Sequence, residues 1–118
     1  MIEVVRCATL AEAAAQMGPT ARFLAGGTLV MRAVNYGDPG ITRIVRATDP
    51  ALHRIETRGD RIEIGAGVSM AALLAPRALA FLHPVARRVG GPAVRTMATV
   101  GGNLFAPHPY GDMATALL

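Results

Sequence analysis

Two pairs of adjacent glycines are the residues of this sequence whose type and spacing best suit chemistry. The first pair closes an apolar run in RFLAGGT, residues 22–28, and the second lies 75 residues later in TVGGN, residues 99–103. Glycines in a turn expose backbone N–H groups that can point together at an anion, and a helix N-terminus adds a favourable dipole. The hydroxyl of Thr28 and the amide of Asn103 follow the pairs as further donors. This pattern indicates a ligand that carries a phosphate or a diphosphate.

Turn formation is the alternative interpretation of the same glycines. Glycine adopts positive φ readily, so a Gly-Gly pair is also common where a strand reverses sharply. Two familiar phosphate motifs are excluded, because neither pair extends to Gly-x-Gly-x-x-Gly and no Walker lysine is possible in a chain whose basic residues are all Arg. From the residues alone, both interpretations remain open.

The other reactive side chains form no recognisable catalytic or metal site. His53, His83 and His108 are spread along the chain without metal-ligand spacing. His108 lies near Asp112, so acid–base chemistry is conceivable, but a loop histidine without a positioned partner is the better interpretation. Cys7 is alone, which excludes an internal disulfide and favours a small buried residue. We therefore predict no catalytic residue and no metal ligand.

Composition limits the class of protein further. With 118 residues and 52% hydrophobic residues, the chain fits one globular domain or a piece of a larger protein. The net charge is +4, but the arginines are scattered and only Arg87 and Arg88 are adjacent, so we predict no nucleic-acid partner. The start MIEVVRCATLAEAAAQM lacks a signal-peptide pattern, and no apolar run is long enough to span a membrane. We expect a cytoplasmic protein.

The first half of the sequence alternates short strands and helices. Three strands are predicted, at residues 2–5, 21–24 and 42–47. Thr9 and Glu12 match a capping box that opens an Ala-rich helix to about Met17. A second short helix is predicted over residues 28–34.

The second half begins with a predicted β-hairpin, residues 55–57 and 61–64, around Gly59-Asp60. Ser69 is placed to cap a helix that runs through Leu74. Four apolar residues then share one helical face, with Pro84 bending that helix or sitting in the first turn of a second one: Leu79, Leu82, Ala86 and Val89. The mixture of strands and helices predicts an α+β (mixed α/β) fold.

Three segments, in this order and spacing, resemble a known family: RFLAGGT, RIEIGAGVSMAALL and GGPAVRTMATVGGNLFAPHPYGDMATALL. The family is the FAD-binding subunit of molybdenum hydroxylases, which includes the medium subunit of carbon monoxide dehydrogenase and the flavin domain of xanthine dehydrogenase. The resemblance covers nearly the whole chain. It implies the amino-terminal part of a PCMH-type FAD-binding fold, with a small α/β subdomain at residues 1–55 and the first part of a second at residues 56–118.

The resemblance also implies which residues hold FAD. A first loop around the diphosphate would consist of Leu24, Ala25, Gly26, Gly27, Thr28, Leu29 and Val30. A second loop against the diphosphate and the ribityl chain would consist of Thr99, Val100, Gly101, Gly102 and Asn103. Asp112 would accept hydrogen bonds from ribityl or ribose hydroxyls, and Val89 would contact the flavin. Arg95 would support the second loop, and Tyr110 is a candidate for stacking on the flavin.

Two residues depart from the family pattern. Leu29 stands where a polar residue is common, which removes one polar contact near the first loop, and Thr96 replaces a common Asn before the second loop.

By the same resemblance, the chain works as one subunit of an FAD-dependent oxidoreductase. The molybdenum cofactor would lie in a large partner subunit and the 2Fe-2S clusters in a small one, and electrons would pass through the clusters to FAD and on to an acceptor. The apolar ending ATALL suggests an alternative, a non-catalytic truncated or split-gene fragment that only docks partner subunits. Another flavin oxidase with a similar two-subdomain fold is a third possibility.

Overall fold

The structure is a computed structural model and describes residues 1–107 and 111–118. The first half contains a three-stranded parallel sheet. Its strands are β1 (Glu3–Cys7), β2 (Ala21–Phe23) and β3 (Arg43–Ala47), in the order β1-β3-β2. The helices α1 (Leu10–Ala15) and α2 (Val30–Asn35) connect them. The strands and helices of this half therefore follow the predicted order, with ends shifted by one or two residues.

The predicted capping box opens α1. The Thr9 hydroxyl accepts a hydrogen bond from the Glu12 N–H at 3.1 Å, and the Glu12 carboxylate accepts one from the Ala8 N–H at 3.0 Å. These bonds satisfy N–H groups that the first turn of a helix leaves without partners. Ala13 then packs under the sheet in a core with Cys7, Ala21, Val45 and Ala47. The prediction that Cys7 is buried is confirmed.

The second half starts with the predicted antiparallel hairpin of β4 (Ile55–Arg58) and β5 (Arg61–Ile64), and a 3₁₀ turn at Pro50–His53 precedes it. Gly59 has φ of +62°, which is the conformation that the tight turn requires. The Ser69 hydroxyl caps α3 (Met70–Leu73) by accepting from the Ala72 N–H at 3.1 Å. Both features agree with the sequence prediction.

Short helices complete the second half. They are a 3₁₀ helix at Arg77–Leu82, α4 (His83–Ala86), α5 (Pro92–Met97), α6 (Val100–Leu104) and α7 (Asp112–Leu117). Pro84 lies in the first turn of α4, where a missing N–H removes no helix bond. Leu79, Leu82 and Ala86 are fully buried in a second core, and Val89 packs against it. The α+β fold class is confirmed.

The segment around the second glycine pair differs from the prediction, because α6 replaces the expected loop. The Thr99 hydroxyl caps this helix by accepting from the Gly102 N–H at 3.0 Å. This cap, together with hydrogen bonds from the Val100 and Gly101 N–H groups to the carbonyls of Val68 and Ala66, offsets the low helix propensity of two glycines. In the described part of the chain, no helix is long and apolar enough to cross a membrane.

Candidate functional site

The loop after β2 presents a run of backbone amides without acceptors. The Leu24 N–H still donates to the Val45 carbonyl at 2.7 Å, so the chain follows β3 to this point. Among residues 1–107 and 111–118, no acceptor is found for the amides of residues 25–29. Gly27 has φ of +77°, and a left-handed residue in such a run turns neighbouring N–H groups toward one side, as in anion-binding nests. We call residues 25–29 the amide loop.

The amide loop rests directly on the second half of the molecule. A Cβ atom added to Gly26 would overlap the carbonyl oxygen of Met97, the last residue of α5, and would lie 2.6 Å from its carbonyl carbon. A Cβ added to Gly102 would lie 3.9 Å from the Cβ of Ala25. The two glycine pairs, 75 residues apart in sequence, are therefore side by side in space. The structure thus brings together the two segments that the resemblance assigns to one diphosphate.

The second glycine pair, however, offers no free amide. The Val100 and Gly101 N–H groups donate to the carbonyls of Val68 and Ala66 at 2.9 and 2.8 Å. The Gly102 N–H donates to the Thr99 hydroxyl, and the Asn103 N–H donates to the Thr99 carbonyl at 2.9 Å. The prediction that both segments present bare amides is therefore wrong for α6.

The glycines of α6 serve close packing instead. A Cβ added to Gly101 would lie 3.0 Å from both the Cβ and the carbonyl oxygen of Ala66. A Cβ added to Gly102 would lie 3.0 Å from the Thr99 hydroxyl oxygen. A side chain at Gly101 would therefore press on the Ala66 backbone, and one at Gly102 would displace the Thr99 hydroxyl. The segment is a rigid wall beside the amide loop, and the turn-making role that the sequence left open applies to neither glycine of this pair.

The buried amide of Asn103 ties α7 to this wall. Its side-chain oxygen accepts a hydrogen bond from the Met113 N–H at 3.0 Å, and the residue is 8% exposed. Gly111 packs against the same turn, since a Cβ there would lie 2.8 Å from the Asn103 carbonyl oxygen. Asp112 is exposed in the first turn of α7, between these two anchored residues. The backbone that carries Asp112 is thereby anchored to α6.

Val89 lies in the turn that precedes α5, and Arg95 lies within α5 and contacts that turn. Val89 is partly buried against the second core, and Gly90 follows it with φ of +60°. One guanidinium nitrogen of Arg95 donates to the carbonyls of Arg87 and Gly90, at 3.0 and 2.8 Å. Arg95 therefore has a supporting role, as predicted, but it supports the turn at residues 87–90 rather than residues 99–103.

The remaining residues singled out from the sequence lie around these elements or apart from them. Thr28 is exposed on the amide loop, Leu29 is half-buried and caps α2 without a side-chain bond, and Val30 begins α2. His53 lies apart, with its Nδ1 atom 3.0 Å from the Gly67 carbonyl oxygen. His108 and Tyr110 lie outside the described residues. Within the described ranges, no group of three or more His, Cys, Asp or Glu is placed to hold a metal ion.

Sequence reasoning missed the partners that shape the site. The Met97 carbonyl against Gly26, and the Ala66 and Val68 carbonyls that hold α6, are backbone atoms of residues far away in sequence. Glycine at position 26 is the one signal in the sequence, since it allows a close approach without identifying what approaches.

Comparison with known proteins points to one family. The family described as the FAD binding domain in molybdopterin dehydrogenase matches residues 1–118. No match was found among curated proteins.

Several solved structures are similar to this chain. Carbon monoxide dehydrogenase from Hydrogenophaga pseudoflava, in a form that lacks the Mo-pyranopterin moiety, matches with a TM-score of 0.80 and 24% identity over 87% of this chain. Reconstituted CO dehydrogenase from Oligotropha carboxidovorans matches with a TM-score of 0.73 and 27% identity over 87% of this chain. Quinoline 2-oxidoreductase from Pseudomonas putida 86 matches with a TM-score of 0.73 and 23% identity over 88% of this chain. The matched region is 39% of each of these three solved chains.

Proposed function

This chain belongs to the family of FAD-binding domains of molybdopterin dehydrogenases, and from that membership we propose that it holds FAD between the amide loop and α6. The single observation that carries the proposal is the run of amides at residues 25–29 with no acceptor in the described structure. Half-buried N–H groups are normally paired, and four of these five residues are half-buried while Thr28 is exposed, so the run favours an external acceptor. A diphosphate offers several oxygens for such a run.

The structure supports different roles for the two glycine segments. The amide loop would bind the diphosphate through its N–H groups, with the exposed Thr28 hydroxyl as an additional donor. Residues 99–103 would contribute by shape, because their own amides are engaged inside the protein and their glycines pack α6 tightly beside the amide loop. Leu24, Leu29 and Val30 would complete the first loop by fixing its two ends to β3 and α2.

Asp112 and Val89 would contact the other parts of the cofactor. The Asp112 carboxylate is exposed on a turn whose backbone Asn103 anchors at Met113, so it is suited to accept hydrogen bonds from ribityl or ribose hydroxyls. Val89 would present an apolar surface to the flavin from a turn that Arg95 holds in place. Bound FAD supplies the hydride and single-electron transfer chemistry. The residues of this chain bind and orient the cofactor.

We further propose that the site lies between two subdomains, at residues 1–55 and 56–118. Two separate clusters of buried residues support this division, one around Val45 and the other around Leu82. The Gly26–Met97 contact joins them. Since the matched region is 39% of the similar solved chains, residues 56–118 would be the first part of the second subdomain.

The whole protein would be the flavoprotein subunit of a cytoplasmic molybdenum hydroxylase. A large subunit with the molybdenum cofactor and a small subunit with 2Fe-2S clusters would be its partners, and the reducing equivalents would leave through FAD to an acceptor. Support comes from the family membership and from similar solved structures that are described as carbon monoxide dehydrogenases.

Two measurements on the purified protein test the proposal. We expect a visible absorption spectrum with flavin bands, and a colourless protein that takes up no added FAD would instead favour a role limited to subunit docking. In NMR spectra, FAD should shift the amide signals of residues 25–29 much more than those of residues 100–103, because only the former amides lack partners. Equal shifts in both segments would contradict the division of roles.

A further inference from the structure

Two arginines lie side by side on the parallel sheet without acidic partners. Arg6 of β1 and Arg46 of β3 are paired in the strand register, and both are exposed. Neighbouring strands are about 4.8 Å apart, so the two side chains start from almost the same place. Among described residues, the ion pairs join Arg43 to Glu3 and Arg58 to Glu56 and Glu63. Neither Arg6 nor Arg46 takes part in one.

The face of the sheet that carries this pair is exposed at Val4, Arg6 and Arg46, although Ile44 on the same face is buried. Side chains alternate along a strand, and the neighbours Val45 and Cys7 point into the first core. Arg6 and Arg46 therefore point to the opposite face, where Val4 is 70% exposed. Like charges placed directly opposite each other in a sheet are destabilising. An anion bound between the two guanidinium groups would remove that repulsion.

The pair also lies at the edge of the sheet from which the amide loop departs. β1 ends at Cys7 and β3 ends at Ala47, each one residue after an arginine of the pair. The bond from the Leu24 N–H to the Val45 carbonyl places Leu24 alongside Arg46. In open parallel sheets, ligands bind outside the carboxyl ends of the strands.

The residues assigned to FAD binding carry no positive charge, whereas this edge of the sheet carries Arg6 and Arg46. From Leu24 to Val30 and from Thr99 to Asn103 no residue is charged, and Asp112 is negative. A diphosphate diester is a dianion, and neutral amides donate hydrogen bonds to it without balancing its charge. Guanidinium groups do both, since their planar N–H groups match phosphate oxygens.

We propose that Arg6 and Arg46 form an anion-binding pair that supplies the positive charge for the diphosphate held by the amide loop. This inference rests on the proposed function for the identity of the ligand. It assigns the two arginines a binding role in addition to that of the two glycine segments.

The test compares Arg6→Gln, Arg46→Gln and the double variant with Arg61→Gln in the full-length protein. Arg61 is exposed in β5 and has no ion pair with a described residue, so its removal changes the net charge as much as each single variant does. Dissociation constants for FAD and for inorganic pyrophosphate are measured at several salt concentrations. For the double variant we expect both affinities to fall about tenfold or more, equivalent to at least ~1.4 kcal/mol. The salt dependence should become weaker, and Arg61→Gln should change either affinity less than about twofold.

The outcomes separate this inference from the proposed function. If the wild-type protein binds FAD but the double variant binds it as well as Arg61→Gln does, the arginine pair is refuted and the proposed function stands. If pyrophosphate binds through the pair and FAD does not bind, the anion site stands and the proposed function fails. Urea unfolding serves as the folding control, because removal of the like-charge contact should leave the midpoint unchanged or raise it.

Discussion

A methyl group at position 26 would separate the two halves of the site. The Cβ atom of Gly26→Ala would overlap the Met97 carbonyl oxygen and lie 2.6 Å from the carbonyl carbon and 3.1 Å from the Ala98 nitrogen. Carbon atoms make favourable contacts at about 3.5–4.0 Å, so the two backbones must move apart by about 1 Å. Overpacking of this kind costs about 1–3 kcal/mol. We expect the upper end, because no side-chain rotation can relieve a clash with main-chain atoms.

The consequence for cofactor binding follows from the same displacement. FAD binding requires the two backbones to come together again, so the cost of overpacking is subtracted from the binding free energy. A cost of about 3 kcal/mol weakens FAD affinity about 100-fold. The measurements are the FAD dissociation constant and the free energy of unfolding in urea, with circular dichroism to show that the variant is folded. Gly18→Ala is the matched control, because a Cβ at Gly18 has no neighbour within 4 Å. If Gly26→Ala equals Gly18→Ala in both measurements, the close contact with Met97 does not hold the site together.

Two further predictions concern local interactions. Thr99→Val removes the hydroxyl that accepts from the Gly102 N–H and should destabilise the protein by about 1 kcal/mol in urea unfolding, whereas Thr99→Ser should keep most of the stability. Equal loss in both variants would rule out the cap. The hydrogen bond from Arg58, with the charge of that guanidinium, holds the pKa of Glu56 below its ordinary value of 4.5. This lowered pKa adds stability above pH ~4.5 that is lost as the pH falls. In an NMR titration the pKa of Glu56 should rise toward the ordinary value in Arg58→Ala, and an unchanged pKa would exclude the hydrogen bond as its cause.

Local signals in the sequence were sufficient for much of the fold. Thr9 and Ser69 both cap helices where they were expected, because a cap depends on residues within one turn. The hairpin around Gly59 is equally local. The class, the strands and the buried face of Leu79 and Leu82 followed from periodicity alone.

The candidate site was only partly predictable, because its decisive contacts are between distant parts of the backbone. The sequence Pro92–Asn103 is rich in glycine and gave no strong helix signal, yet α5 and α6 form there. The first turn of α6 is held by the carbonyls of Ala66 and Val68, which periodicity does not report. The strand order β1-β3-β2 was likewise beyond local reasoning, since strand pairing depends on the whole chain. Whether a backbone N–H group can bind a ligand or already donates a hydrogen bond within the protein depends on such pairings.

The contact between Gly26 and Met97 uses main-chain atoms only, while the Met97 side chain itself is 56% exposed. A label can therefore be attached to a side chain at position 97 without disturbing the main-chain contact with Gly26. A cysteine there, carrying an environment-sensitive dye, would sit beside the contact between the amide loop and α5 and report changes at that contact. At position 26, by contrast, even a methyl group clashes with main-chain atoms, so two residues in direct contact differ sharply in the side chains they permit.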